Sequence, residues 1–142
     1  MAKSFRCKVV TPMAALVNDE MVSAVVPAHD GQMGLLPGRA PILAKLGLGE
    51  LKLEYADSGK AKGGSRTFLL DGGFMQMAGG ELTIIAEQAF PAEELILADA
   101  EAELKKAEAS SGGTAVAAEK RTHDVSLAKA KIALARRSVG GI

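Results

Sequence analysis

Gln88-Ala89-Phe90-Pro91-Ala92-Glu93-Glu94-Leu95 divides the chain into two kinds of sequence. All five aromatics (Phe5, Tyr55, Phe68, Phe74, Phe90) lie at or before Phe90, and all five prolines at or before Pro91. Of the 16 glycines, only Gly112, Gly113, Gly140 and Gly141 come later. Beyond Pro91 the chain is rich in Ala, Glu, Lys and Leu. A strand-and-turn composition therefore gives way to a helical one. We expect two domains, residues 1–90 and 91–142, with the boundary at about Phe90–Ala92.

Working back from the boundary, the first part is a series of short apolar or alternating runs. Phe5, Cys7 and Val9 alternate with Arg6 and Lys8, the pattern of a half-buried strand. Met13–Val17 and Met21–Val26 follow, separated by Asn18-Asp19 and ended by Pro27. Gly31–Leu36 ends at Pro37-Gly38. In Leu48–Tyr55, Leu51, Leu53 and Tyr55 alternate with Lys52 and Glu54. A polar loop is expected over Asp57–Ser65. Arg66–Leu70, Gly73–Met77 and Leu82–Ala86 complete the set, separated by Asp71-Gly72 and Ala78-Gly79-Gly80. Short strands with frequent turn signals predict an all-β sandwich or barrel rather than βαβ units.

Working forward, the second part predicts an α-helical antiparallel hairpin. Pro91 suits a helix start, and Glu93-Glu94 put negative charge where the helix dipole favours it. Ser110-Ser111-Gly112-Gly113 stops this helix, and Thr114 caps a second one reaching about Ser138. Leu97, Ala100, Leu104 and Ala107 form a heptad seam; Val125, Ala128, Ile132, Ala135 and Val139 form another. Large residues alternate with alanine, so the seams can fit small against large. Residues 91–119 carry seven acids and two bases, whereas residues 120–142 carry six bases and one acid. Exposed ion pairs contribute only tenths of a kcal/mol, so these charges select partner and orientation more than they stabilise. Alanine buries little area, so such a hairpin opens at modest cost.

The 17 basic and 17 acidic residues cancel, which argues against a nucleic-acid binder. No apolar run approaches the roughly 20 residues of a membrane span, and the start of the chain lacks a signal-peptide core. The cytoplasm is the simplest compartment. The single cysteine, Cys7, excludes an internal disulfide framework and reads as a buried structural thiol.

Catalytic patterns are missing. The two histidines, His29 and His123, fall in different expected domains. His29-Asp30 has the makings of a metal or acid–base pair, but a solvated turn is the plainer reading. Gly47-Leu48-Gly49 and Asp71-Gly72-Gly73 lack the Gly-Lys-Ser/Thr of a phosphate loop and precede no expected helix. No enzyme, cofactor or metal site is expected. The basic cluster Lys129, Lys131, Arg136 and Arg137 reads first as a solvated helix face, and alternatively as a contact for an acidic partner or a phosphate.

One segment resists the plain reading. Asp30–Ala44 holds three glycines and two prolines, yet carries Met33, Leu35, Leu36, Ile42 and Leu43. It is either a tight connection between sheets or a stiff, partly apolar contact surface for another protein.

The same segment carries a resemblance. Gly-Gln-Met-Gly-Leu-Leu-Pro-Gly-Arg-Ala-Pro-Ile-Leu-Ala (31–44) resembles the pattern G-x-x-G-[ILF]-x-P-G-H-A-P-x-[LIV]-[AST] of the epsilon subunit family of F-type ATP synthases, called delta in mitochondria. Leu46-Gly-Leu-Gly-Glu-Leu (46–51) is similar to the family's L-x-x-G-x-[LIV]. Leu70-Asp-Gly-Gly-Phe-Met-Gln-Met (70–77), followed by Leu82-Thr-Ile-Ile-Ala-Glu (82–87), matches its later segment. The motifs cover residues 4–90; beyond them the likeness is one of architecture.

The resemblance implies a β-sandwich of about ten strands and a two-helix domain. It implies a non-catalytic rotor subunit that binds gamma, sits on the c-ring and couples proton flow to rotation. The partner contacts it implies here are His29, Asp30, Gln32, Met33 and Arg39, with Arg39 in place of the family's usual histidine. A location on the cytoplasmic face of the bacterial inner membrane is implied as well. In some relatives the hairpin inhibits ATP hydrolysis, which makes Lys129, Lys131, Arg136 and Arg137 a candidate regulatory contact with the catalytic beta subunits. Some relatives bind ATP through I/L-D-x-x-R-A. Here Ile96 and Asp99 occupy the aspartate and arginine positions, so ATP binding is not expected. The competing reading from another class is a free-standing β-sandwich ligand-binding module that dimerises through its hairpin.

Overall fold

The computed structural model describes residues 4–56, 64–110 and 113–140. Residues 57–63 of the loop expected over Asp57–Ser65, and the Ser111-Gly112 part of the expected helix stop, lie outside them. The chain divides into two compact units, Met1–Phe90 and Pro91–Ile142.

In the first unit, β1 (Phe5–Val10) buries Phe5, Cys7 and Val9 and turns Arg6 outward, as its alternation requires. The next two expected strands are one. β2 (Ala15–Ala28) runs through Asn18-Asp19, which pair with Lys8 and Cys7 of β1. Its first half pairs with β1 and its second half with β4 (Ile42–Tyr55), with a register shift where it changes partner. The short β3 (Gly31–Leu35) hangs on the outside of β2. β5 (Ser65–Ala78) likewise passes straight through Asp71-Gly72-Gly73, where the sequence predicts a turn. β6 (Glu81–Pro91) returns beside it.

Six strands, four of them long, thus stand where about ten are expected. The turn signals inside β2 and β5 bend a strand without reversing it. Gly73 shows why. Its φ is +119°, and a Cβ placed on it would lie 2.0 Å from the carbonyl oxygen of Ile85. Only glycine allows β5 to turn this corner while touching β6.

The strand order β1-β6-β5-β4-β2, with β1 also paired to β2, closes a ring and leaves β3 outside it. Of the pairs in this ring, β1 with β6 is parallel: Cys7 lies opposite Leu82 and Val9 opposite Ile84. Closure removes most exposed edges. Inside are Phe5, Met21, Leu35, Leu51, Leu53, Phe68, Leu70, Met75, Met77, Leu82 and Ile84, all essentially inaccessible to solvent. Burial pushes the Cys7 thiol up to about 12, with Asp19 adding to the effect, so Cys7 stays neutral and inert.

The second unit corrects the expected helix start. Pro91 is the last residue of β6, and Ala92–Glu94 form a separate 3-10 turn that lies against the second helix. Pro91 has a helical φ (−59°) but an extended ψ (134°), and Leu95 is extended again. The first helix, α1, therefore begins only at Leu97 and ends at Ala109. Asp99, not Glu93 or Glu94, is the acid in its first turn. The second helix, α2, spans Ala115–Gly140. Thr114 caps it as expected: its hydroxyl accepts the Ala117 N–H at 3.0 Å.

The seams meet as their spacing predicts. Ala100 and Ala107 are buried on α1, and Ala128, Ile132 and Ala135 on α2; Val139 falls outside the described side chains. Arg121 donates to the Glu108 carbonyl, and Lys131 pairs with Glu103 at 2.9 Å. Positions rise along one helix as they fall along the other, so the hairpin is antiparallel. Leu134, which the heptad spacing does not select, is buried as well.

Candidate functional site

Ala28 and Gly31 pair directly, leaving His29-Asp30 as a two-residue hairpin tip between β2 and β3. Both tip residues are exposed. The tip is tied to β4, since the His29 N–H donates to the Lys45 carbonyl at 2.9 Å. Gln32 is exposed opposite Pro27, while Met33 is half-buried opposite Val26 and touches the core. The structure therefore gathers His29, Asp30 and Gln32 at one tip and turns Met33 partly inward.

Arg39 lies elsewhere. β3 leads away from the tip to Leu35, and residues 36–41 connect it back to β4. Pro37 followed by Gly38 at φ +83° is the pairing a type II turn requires. Arg39 follows Gly38 directly, and its side chain is exposed.

Of the five apolar residues in this segment, Leu35 is fully buried, and Met33 and Ile42 pack on the core. Leu36 and Leu43 are 64% and 71% exposed. Leu43 has company on the outer face of the sheet. Lys45 stands opposite Phe74, Leu43 stands opposite Gln76, and both Phe74 and Ile85 are 55% exposed. The contact of Gly73 with Ile85 and Ala86 sets Phe74 next to Ile85. Leu43, Phe74 and Ile85 form an apolar area that the sequence reading missed. The signal was present: alternation that buries Met75 and Met77 must expose Phe74, and Ile84-Ile85 cannot both face inward.

In the second unit the basic residues separate. Lys131 turns toward α1 and holds Glu103, with its side chain only 12% exposed. Lys129, Arg136 and Arg137 are exposed, and Arg137 donates to the Ala133 carbonyl of its own helix. A cavity of about 370 Å³ between the helices is lined by Glu103, Lys106, Ala107, Lys120, Arg121 and Asp124. Its cations are largely spoken for: Lys120 pairs with Asp124 and Arg121 binds the Glu108 carbonyl. His123 is exposed on α2, in a different unit from His29. Among the described residues no cluster of His, Cys, Asp or Glu suits a metal ion, and no helix is long and apolar enough to cross a membrane.

These surfaces can be set beside known proteins. Residues 4–92 match the family model described as ATP synthase, Delta/Epsilon chain, beta-sandwich domain. The chain is 30% identical over 106 residues to the ATP synthase epsilon chain of Pelotomaculum thermopropionicum, covering 75% of each. It is 32% identical over 108 residues to that of Koribacter versatilis, covering 76% of this chain and 72% of the relative. Its fold resembles a chain in the Euglena gracilis mitochondrial ATP synthase structure of OSCP, F1 and c-ring. That match has a TM-score of 0.76 at 19% identity and covers 92% of this chain and 80% of the other. A chain of the Tetrahymena thermophila mitochondrial ATP synthase central stalk and c-ring matches with a TM-score of 0.60 at 17% identity, covering 89% and 95%.

Proposed function

The chain belongs to the ATP synthase delta/epsilon chain family, and from that premise we propose that it is a non-catalytic rotor subunit of the central stalk. It links gamma to the c-ring and couples proton transport to ATP synthesis. The observation that carries this reading is the match of the family model from end to end of the β unit, the part with both exposed surfaces. The His29-Asp30 tip, with Gln32 and Met33 behind it, serves the c-ring. The apolar outer face and Arg39 serve gamma. The subunit is peripheral to the membrane complex. The cytoplasmic face of a bacterial inner membrane is its proposed location, supported by relatives that carry the name epsilon rather than the mitochondrial delta.

Residues 91–142 are the proposed regulatory unit, with exposed Lys129 and Arg136 presented to acidic loops of the catalytic beta subunits and Lys131 released for them only when its pair with Glu103 breaks. ATP is not a ligand in this reading, because Asp99 stands exposed where an arginine would meet phosphate.

Co-expression with the host's gamma tests the main claim. A stoichiometric complex that restores ATP-driven proton pumping to membranes lacking this subunit is expected. A homodimer indifferent to gamma overturns it and favours a free-standing binding module. Truncation after Gly113 tests the regulatory claim: hydrolysis by the assembled enzyme should rise, and unchanged hydrolysis removes it.

A further inference from the structure

We propose that the β4 side of this outer face receives an acidic segment of gamma, with Arg39 and Lys45 pairing its carboxylates around the apolar centre of Leu43, Phe74 and Ile85. The inference rests on the rotor-subunit reading and adds the chemistry of the matching surface.

Three observations carry it. First, the stretch from the tip into the first half of β4 carries charge of one sign. From Gly31 to Gly49 the chain contains Arg39 and Lys45 and no acid. Second, neither cation has an ion pair among the described residues. By contrast, two cations of β1 are matched within the chain: Arg6 lies 3.2 Å from Glu20 and Lys8 lies 3.4 Å from Glu81. Arg39 and Lys45 are left for a partner. Third, they flank an exposed apolar area. Lys45 stands directly opposite Phe74, and exposed Arg39 lies on the connection between exposed Leu36 and Leu43. A guanidinium can take a carboxylate through two parallel hydrogen bonds.

The arrangement also sets an orientation. Glu87 is exposed on the β6 side of the same area, beside Gly72. An acidic segment is therefore favoured over β4 and repelled over β6, so the charges select register as well as partner. Two such cations in a chain of zero net charge are too few for a nucleic acid, whose binding needs many phosphate contacts.

The test measures binding of purified gamma to the full-length chain at increasing salt. Arg39→Glu with Lys45→Glu should weaken binding about tenfold to a hundredfold at low salt and remove most of its salt dependence. Arg39→Lys should keep the salt slope, because it keeps the charge, but weaken binding several-fold, because it loses the two parallel hydrogen bonds. Arg39→His should make binding pH-dependent, tighter below about 6.5 where imidazole is charged. Phe74→Ser should weaken binding while leaving the salt slope in place. Both cations are exposed, so thermal melts of these variants should match the original. Charge reversals that change neither affinity nor salt slope overturn the proposal while leaving the rotor reading intact. If the unaltered chain forms no complex with gamma, both fall.

Discussion

The two units are held together by different amounts of buried surface. The β unit hides two phenylalanines and a set of leucines and methionines completely. Among the described residues, the helical unit hides five alanines, Ile132 and Leu134. Buried apolar area stabilises at ~25 cal/mol per Å², and an alanine contributes a small part of what a leucine does. One unit is a scaffold that tolerates little change. The other is held by fewer and smaller buried side chains, so its contacts should part at lower cost.

The sharpest way to break this contrast is at Gly73. Replacement by alanine sets a Cβ 2.0 Å from the Ile85 carbonyl oxygen at φ +119°. The β unit should lose about 3 kcal/mol or more, or fail to fold. A melting temperature within a few degrees of the original would mean that the β5–β6 contact is not a rigid corner.

Core truncations compare the units directly. Phe68→Ala should cost about 3–5 kcal/mol, whereas Ile132→Ala should cost nearer 2 and leave the β unit's melt unchanged. Hydrogen exchange completes the comparison: amides of α1 and α2 should exchange well before those of β5. Equal protection would deny that the hairpin opens independently.

Cys7 probes the β core from within. A thiol reagent should leave it unmodified in the folded chain and react once the chain unfolds. Its folded pKa of about 12 lies above the ordinary value of 9.0. The neutral thiol therefore supports the fold fully below pH 9, and that support is lost as pH rises through 9 toward 12. Cys7→Ala should flatten this alkaline decline; an unchanged decline would assign it to other groups.

The smallest effect is expected at the hairpin's ion pair. Glu103→Gln should weaken the helical unit by about 0.5 kcal/mol, because Glu103 is half exposed. Strong destabilisation would make this pair, rather than the alanine seam, the main lock.

Much of the fold was legible because it depends on local signals. Alternation in Phe5–Val9 assigned the buried face of β1, and the spacing of Leu97, Ala100, Leu104 and Ala107 assigned the seam of α1. Thr114 was readable as a cap because a hydroxyl at that position satisfies a free helical N–H. Strand ends were not readable. Gly72-Gly73 permits a reversal or a bend equally well, and the neighbouring β6 decides between them. The start of α1 was misread because Pro91 fixes only its own φ; contact of the Ala92–Glu94 turn with α2 determines the path of the chain into the helix. Of the candidate contacts, the His29-Asp30 tip and exposed Arg39 are where turn chemistry puts them, while Met33 leans into the core.

By itself, then, the sequence determined the two-part division near Phe90, the helix seams, the alternating faces and the family motifs, all set by composition and short-range periodicity. Tertiary structure alone decided that β1 pairs with β6 to close the ring and that β2 and β5 bend rather than end. It also decided that Phe74 and Ile85 meet on the outside and that Lys131 leaves the basic cluster to hold Glu103. Those outcomes depend on which distant segment lies alongside, and local propensity carries no information about that choice.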